Sequence, residues 1–74
     1  MYSLQPVSIA DGSLYSRKSI REIGIGDTAG ALIVGIEREG KRLLNPESSE
    51  ILHPGDLVWV FGHRDRIRDL RRTS

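Results

Sequence analysis

The sequence predicts an α+β fold: a small antiparallel β-sheet with two helices, in the order β-α-β-β-β-α. Three observations carry this expectation. Apolar residues recur with a period of two, or in short runs bounded by breakers, as strands do. The breakers Asp11-Gly12-Ser13, Glu39-Gly40 and His53-Pro54-Gly55-Asp56 are tight-turn chemistry, and strands joined by tight turns pair antiparallel. Two further segments carry helix-boundary signals, and helices gathered on one side of such a sheet make a two-layer domain.

The first strand is expected over residues 5–10, where Val7 and Ile9 alternate with Ser8. Pro6 near its start suggests an edge position or a strand beginning, because proline has no N–H to give a neighbour. Ser19-Ile20-Arg21-Glu22 is a Ser-x-x-Glu capping box, in which each side chain bonds the other residue's N–H. Ile20 and Ile23 share a face, and Gly24 can adopt the left-handed conformation that ends a helix. A short helix over 17–23 follows. The second strand, Gly30 to Arg38, is nearly all apolar through Ala31-Leu32-Ile33-Val34-Gly35-Ile36, as expected when both faces are covered. Strict alternation puts Leu32, Val34 and Ile36 on one face. Ala31, Ile33 and Gly35 fall on the other, where small side chains allow close approach of another backbone.

Glu39-Gly40 predicts a hairpin, with residues 41–45 as the returning strand closed by Pro46. Ile51 and Leu52 are expected to fold back onto the core. In His53-Pro54-Gly55-Asp56, proline presets the first central position and glycine supplies positive φ at the second, the pattern of a type II turn. Asp56 is expected to bond that turn's backbone. Leu57-Val58-Trp59-Val60-Phe61 is the last strand, with Gly62 ending it. A helix over 65–72 follows, capped by Asp65, with Ile67 and Leu70 inward and the arginines outward.

Seventy-four residues make one domain, 1–74, with a thin core. Small domains compensate with disulfides, a metal or a partner subunit. There is no cysteine, and the histidines, His53 and His63, have no thiolates beside them, so no structural metal is expected. Self-association remains. The net charge of +1 is too balanced to mark nucleic acid as a partner. No apolar run approaches the ~20 residues that span a bilayer. Met1 to Pro6 has neither a basic start nor a long apolar stretch, so no signal peptide is expected. No nucleophile elbow occurs and the histidines lie at a turn and a strand end, so no catalytic residues are assigned and no enzyme is expected. Glu50, His53 and Asp56 are a weak oxygen-and-imidazole set, read as turn residues. The arginines after His63 are interrupted by Asp65 and Asp69 and read as a solvated helix face suited to the helix dipole.

Four stretches occur in one order: Ser-Ile-Arg-Glu-Ile at 19–23, Gly-Ala-Leu-Ile-Val-Gly-Ile-Glu-Arg at 30–38, Asn45-Pro46, and Pro-Gly-Asp-Leu-Val-Trp-Val-Phe-Gly at 54–62. Together they resemble the TrkA C-terminal domain, also called RCK_C, from about residue 7 to residue 70. The wording is most similar to versions fused to Kef-type monovalent cation:proton antiporters. The resemblance implies a homodimer on the cytoplasmic side of the bacterial inner membrane. It also implies a transmembrane transporter domain in the same or a partner chain, and a small regulatory ligand such as cyclic di-AMP between the two copies. Gly24-Ile25-Gly26 lacks the third glycine of a dinucleotide fingerprint and opens no helix after a strand, so NAD is not expected.

The ligand site this implies is Ile33 and Val34 as an apolar wall, Arg38 as the charge facing phosphate, and Asn45 as an amide on the next strand. Guanidinium groups match oxyanion geometry, although Glu37 and Glu39 flank Arg38 and oppose an anion. The expected function is a cytosolic ligand-sensing domain of a potassium or monovalent cation transporter, gating ion flux by dimer rearrangement. The alternative is a purely structural dimerisation module with no ligand.

Overall fold

The computed structural model of the chain describes residues 1–24 and 31–74. Six elements follow one another: β1 (Tyr2–Ser8), α1 (Ile20–Ile23), β2 (Ala31–Arg38), β3 (Lys41–Leu44), β4 (Leu57–His63) and α2 (Arg64–Thr73). The four strands form one sheet in the order β1-β4-β2-β3, antiparallel throughout. This is the expected α+β architecture and element order. Gly30, expected to open the second strand, and Ile25-Gly26 lie outside the described residues.

Each boundary that moved has a physical cause. β1 starts at Tyr2, not at residue 5, because Tyr2 and Leu4 continue the alternation and pair with His63 and Phe61 of β4. It is an edge strand, the first of the two positions that Pro6 suggested. Gly62 does not end β4: it pairs with both Ser3 and Ala31 inside the sheet. Asp65 does not cap α2 either. The helix begins one residue earlier, with His63 in the cap position making no side-chain capping bond to the helix. The first helix is one turn, shorter than the expected 17–23. Its capping box is complete: Ser19 Oγ accepts from the Glu22 N–H at 3.1 Å, and Glu22 Oε1 accepts from the Ser19 N–H at 3.0 Å. That backbone bond from Ser19 holds the Glu22 carboxyl below its usual pKa. Gly24 ends the turn at φ +72°.

The main correction concerns β2. A bulge between Ile33 and Gly35 shifts its register against β4. An extra residue in one strand reverses the facing of everything beyond it. Ile36 therefore shares the buried face with Ile33, not the face of Leu32 and Val34. Ile33, Ile36, Val58 and Val60 project from the sheet into one buried cluster with Val7, and Ile20, Ile67 and Leu70 meet them from the helices. Both helices thus lie on a single sheet face. Leu52 is fully buried as expected, whereas Ile51 is exposed. The two belong to a short ladder that ties the 50–52 segment to α1. Arg17 N–H donates to Leu52 O at 2.8 Å, Leu52 N–H to Lys18 O at 2.9 Å and Ile20 N–H to Glu50 O at 3.0 Å.

Two turns behave as their residues dictate. Glu39 and Gly40 both take positive φ, +51° and +76°, as a two-residue type I′ hairpin demands. Gly55 has φ +89° and the Asp56 N–H donates to His53 O at 3.0 Å, which is the type II turn. At Gly35 a Cβ atom would lie 3.3 Å from the Leu43 carbonyl oxygen, so the close approach expected of that residue is to the neighbouring strand β3.

Candidate functional site

Two regions gather polar or exposed apolar groups around the residues singled out in the sequence. The first is the Pro-Gly turn before β4. Arg38, at the end of β2, reaches across it and grips Asp56 bidentately, Nε to Oδ1 at 2.8 Å and Nη2 to Oδ2 at 2.7 Å. Its remaining donors reach Ile51 O at 3.0 Å and Glu50 Oε2 at 3.3 Å. Asp56 also accepts the His53 N–H at 2.8 Å, so it does bond the turn backbone. Its side chain is 1% exposed, against 25% for Arg38. Burial pushes the Asp56 carboxyl upward, but the Arg38 hydrogen bonds, the His53 N–H and the Arg38 charge outweigh this and hold it below its usual range. The same hydrogen bonds raise the guanidinium above its ordinary value. The pair floors a surface cleft of about 570 Å³ beside His53 and Arg17. Chemically it is a neutralised clamp: four of the five Arg38 donors are engaged within the protein, and its charge is paired with Asp56 and Glu50.

The second region is the sheet face opposite the helices. Leu4 of β1 and Leu32 of β2 both pair with Phe61 of β4, one on each side, making one apolar row. Tyr2 stacks on Phe61 with ring centroids 5.8 Å apart. Leu32 is 60% exposed, Leu44 73% and Phe61 44%. Beside this row lies a dimple of about 300 Å³ lined by Leu4, Val34, Glu37, Arg42, Leu44 and Trp59 among others. Trp59 Nε1 donates to Glu37 Oε2 at 2.8 Å, and Arg42 Nε lies 3.5 Å from Glu37 Oε1. Glu37 therefore joins an indole and a guanidinium at the rim of an apolar hollow.

The four expected ligand residues do not form one wall. Val34 lines the dimple, and Asn45, with positive φ of +50°, donates its N–H to Val34 O at 2.8 Å. Those two are brought together. Ile33 is buried on the helix side, and Arg38 turns to Asp56. Sequence reasoning missed Trp59, Arg42 and Leu44 at the dimple. Alternation puts Arg42 and Leu44 on one face of their strand, but which residue opposes Glu37 depends on the pairing offset, which only the folded sheet fixes. Among the described residues no group of three His, Cys, Asp or Glu side chains is placed to hold a metal ion, and no helix is long and apolar enough to cross a membrane.

This is a helix-backed antiparallel sheet whose second face is bare and apolar, and known proteins share the fold. The TrkA-C domain family matches residues 4–74, and the chain belongs to that family, also called RCK_C. It is 34% identical over 67 residues to probable potassium channel protein 2 of Methanocaldococcus jannaschii, covering 90% of this chain but 20% of that protein. The chain thus spans a fifth of the length of that relative. Among solved structures, the RCK_C domain dimer of S. agalactiae BusR in complex with c-di-AMP has a TM-score of 0.84 at 27% identity, covering 96% of this chain and 93% of that one. BusR was also solved with its busAB-promotor DNA, where this chain covers 35% of the longer chain. The RCK C domain of the potassium transport protein KtrA, with c-di-AMP, has a TM-score of 0.87 at 19% identity, covering 99% of this chain and 84% of that one, and shows the shared fold.

Proposed function

We propose that this chain, as a single domain over 1–74, is a regulatory, ligand-sensing domain of a potassium or monovalent cation transporter. It acts as a homodimer on the cytoplasmic side of the membrane. The observation that carries the reading is the bare apolar sheet face. A contiguous apolar patch with a polar rim marks an association surface, and a thin core gains stability from a second copy. The potassium-channel relative and the c-di-AMP complex of BusR support the transporter context and the ligand class. A Kef-type cation:proton antiporter is the parent we favour, from the wording around Val34–Arg38 and Asn45-Pro46.

The ligand position we propose is the seam beside Val34 and Asn45. Ile33 and Arg38 support it from within β2, one by packing and the other by clamping the strand's end. A flat heterocycle would lie on Val34, Leu44 and Trp59 in the dimple, with Asn45 and Arg42 as polar partners. The ligand biases the relative orientation of the two copies only by its differential affinity for the two arrangements, and a linker carries the bias to the membrane domain. One observation favours the second reading, a ligand-free dimerisation module: Arg38 is already neutralised by Asp56, which leaves fewer charges for a phosphate.

Sedimentation velocity with and without cyclic di-AMP, combined with calorimetric titration, tests both. We expect a dimer that binds the dinucleotide, and a Leu32→Glu variant that is monomeric and no longer binds. A dimer silent to the ligand selects the structural reading. A monomer at high concentration overturns both.

A further inference from the structure

The far side of the domain holds a cationic cleft that the interface reading does not use. α2 carries five arginines against two aspartates, a local charge of +3, whereas the whole chain carries +1. The rest of the molecule is therefore −2, and the positive charge is gathered on one helix. Arg64, Arg68 and Arg71 are spaced i, i+4, i+7, so they share one flank of α2. That flank faces the outer edge of β1. With Gln5, His63 and Asp65 it lines a cleft of about 450 Å³, which shares no residue with the Val34 dimple.

The donors in this cleft exceed the acceptors. Arg71 Nη2 donates to Pro6 O at 2.7 Å, where the edge strand offers a carbonyl and proline offers no N–H. Arg68 Nη2 lies 3.3 Å from Asp65 Oδ1, which engages the carboxylate in the cleft. Gln5 Nε2 donates to Ser3 Oγ at 2.8 Å. The Arg64 guanidinium has no hydrogen bond or ion pair among the described residues. Each guanidinium carries five N–H donors in a fixed fork, so Arg64, and the unused edges of Arg68 and Arg71, point free donors at one opening.

We propose that this cleft between β1 and α2 is an anion site that takes a phosphate group, either of a soluble phosphorylated ligand or of a phospholipid headgroup. Guanidinium forks match phosphate oxygens bidentately, and a tetrahedral oxyanion can accept from two arginines at once. The assignment does not rest on the dimer reading, since no residue of the cleft belongs to the bare sheet face's dimple.

The test uses the 74-residue chain in low salt with two probes, inorganic pyrophosphate and vesicles of phosphatidylglycerol in phosphatidylcholine. Backbone amide shifts follow the first and co-sedimentation the second. A saturable pyrophosphate response at Gln5, Arg64 and Arg68 identifies a soluble phosphate ligand. Co-sedimentation that rises with phosphatidylglycerol, without a pyrophosphate response, identifies a headgroup. In either case Arg64→Gln/Arg68→Gln lowers affinity about tenfold or more, with the fold checked by the dispersion of the remaining amides. A Lys18→Gln/Lys41→Gln variant removes the same charge elsewhere and retains binding. No response to either probe overturns the proposal. So does an equal loss in both double variants.

Discussion

Replacing Arg38 by methionine leaves the Asp56 carboxylate, 1% exposed, with the His53 N–H as its remaining hydrogen-bond donor among the described residues. Truncating one member of a buried ion pair costs about 3–5 kcal/mol, because the surviving charge is stranded. The carboxylate can escape by taking up a proton, and that sets a ceiling. From an ordinary pKa of ~3.9, holding it neutral at pH 7 costs about 4 kcal/mol. A single core of this size supplies only ~3–5 kcal/mol in total, so Arg38→Met is expected to be close to unfolded at neutral pH. At pH 4.5 the protonation cost falls to about 1 kcal/mol, and the variant should refold. In the native protein the Asp56 carboxyl is held below its ordinary range. The stabilisation it contributes is therefore present above the unfolded value and lost as pH falls through the folded one. Urea unfolding followed by the fluorescence of Trp59, the single tryptophan, at both pH values gives the comparison. Arg38→Met/Asp56→Asn keeps an acceptor for the His53 N–H without a charge, and should recover most of the loss at pH 7. A loss below about 1 kcal/mol at pH 7, or an equal loss at both pH values, would refute the stranded-charge argument.

Two local predictions use the same urea assay. Ser19→Ala removes the acceptor for the Glu22 N–H and should cost about 1 kcal/mol, with amide-exchange protection falling first at Glu22 and Ile23; protection unchanged there would mean that the 50–52 ladder alone orders the turn. Glu39→Asn puts a residue tolerant of positive φ where the chain has φ +51°, and should gain about 1 kcal/mol, or a Tm rise of about 4–8 °C; a fall would mean that the glutamate side chain contributes to the hairpin.

Much of the fold is legible because its signals are local. A serine three residues before a glutamate, a proline before a glycine, and Glu-Gly at a hairpin each specify backbone geometry within one turn of chain. The element order and the turn types therefore followed directly from the residues. Boundaries slipped where the deciding partner is remote. Tyr2 and Gly62 are strand residues because β4 and β1 pair along their full lengths, and Gly62 carries no strand signal of its own.

The site was less legible for a specific reason. Alternation assigns faces only while the register is unbroken, and the bulge at Ile33/Gly35 arises from how β2 lies on β4. It sent Ile36 inward and left Val34 outward, splitting the expected wall. Arg38 was expected to face an anion, and it found one within its own chain, since the Pro-Gly turn delivers Asp56 to the end of β2. The sequence by itself determined the secondary structure, the turns and the family, because these depend on neighbours a few residues apart. Tertiary structure alone decided which apolar residues are left in water and which arginines remain unpaired. Those outcomes depend on pairings between segments distant in the chain, and it is the leftovers of that pairing that a second copy or a ligand can use.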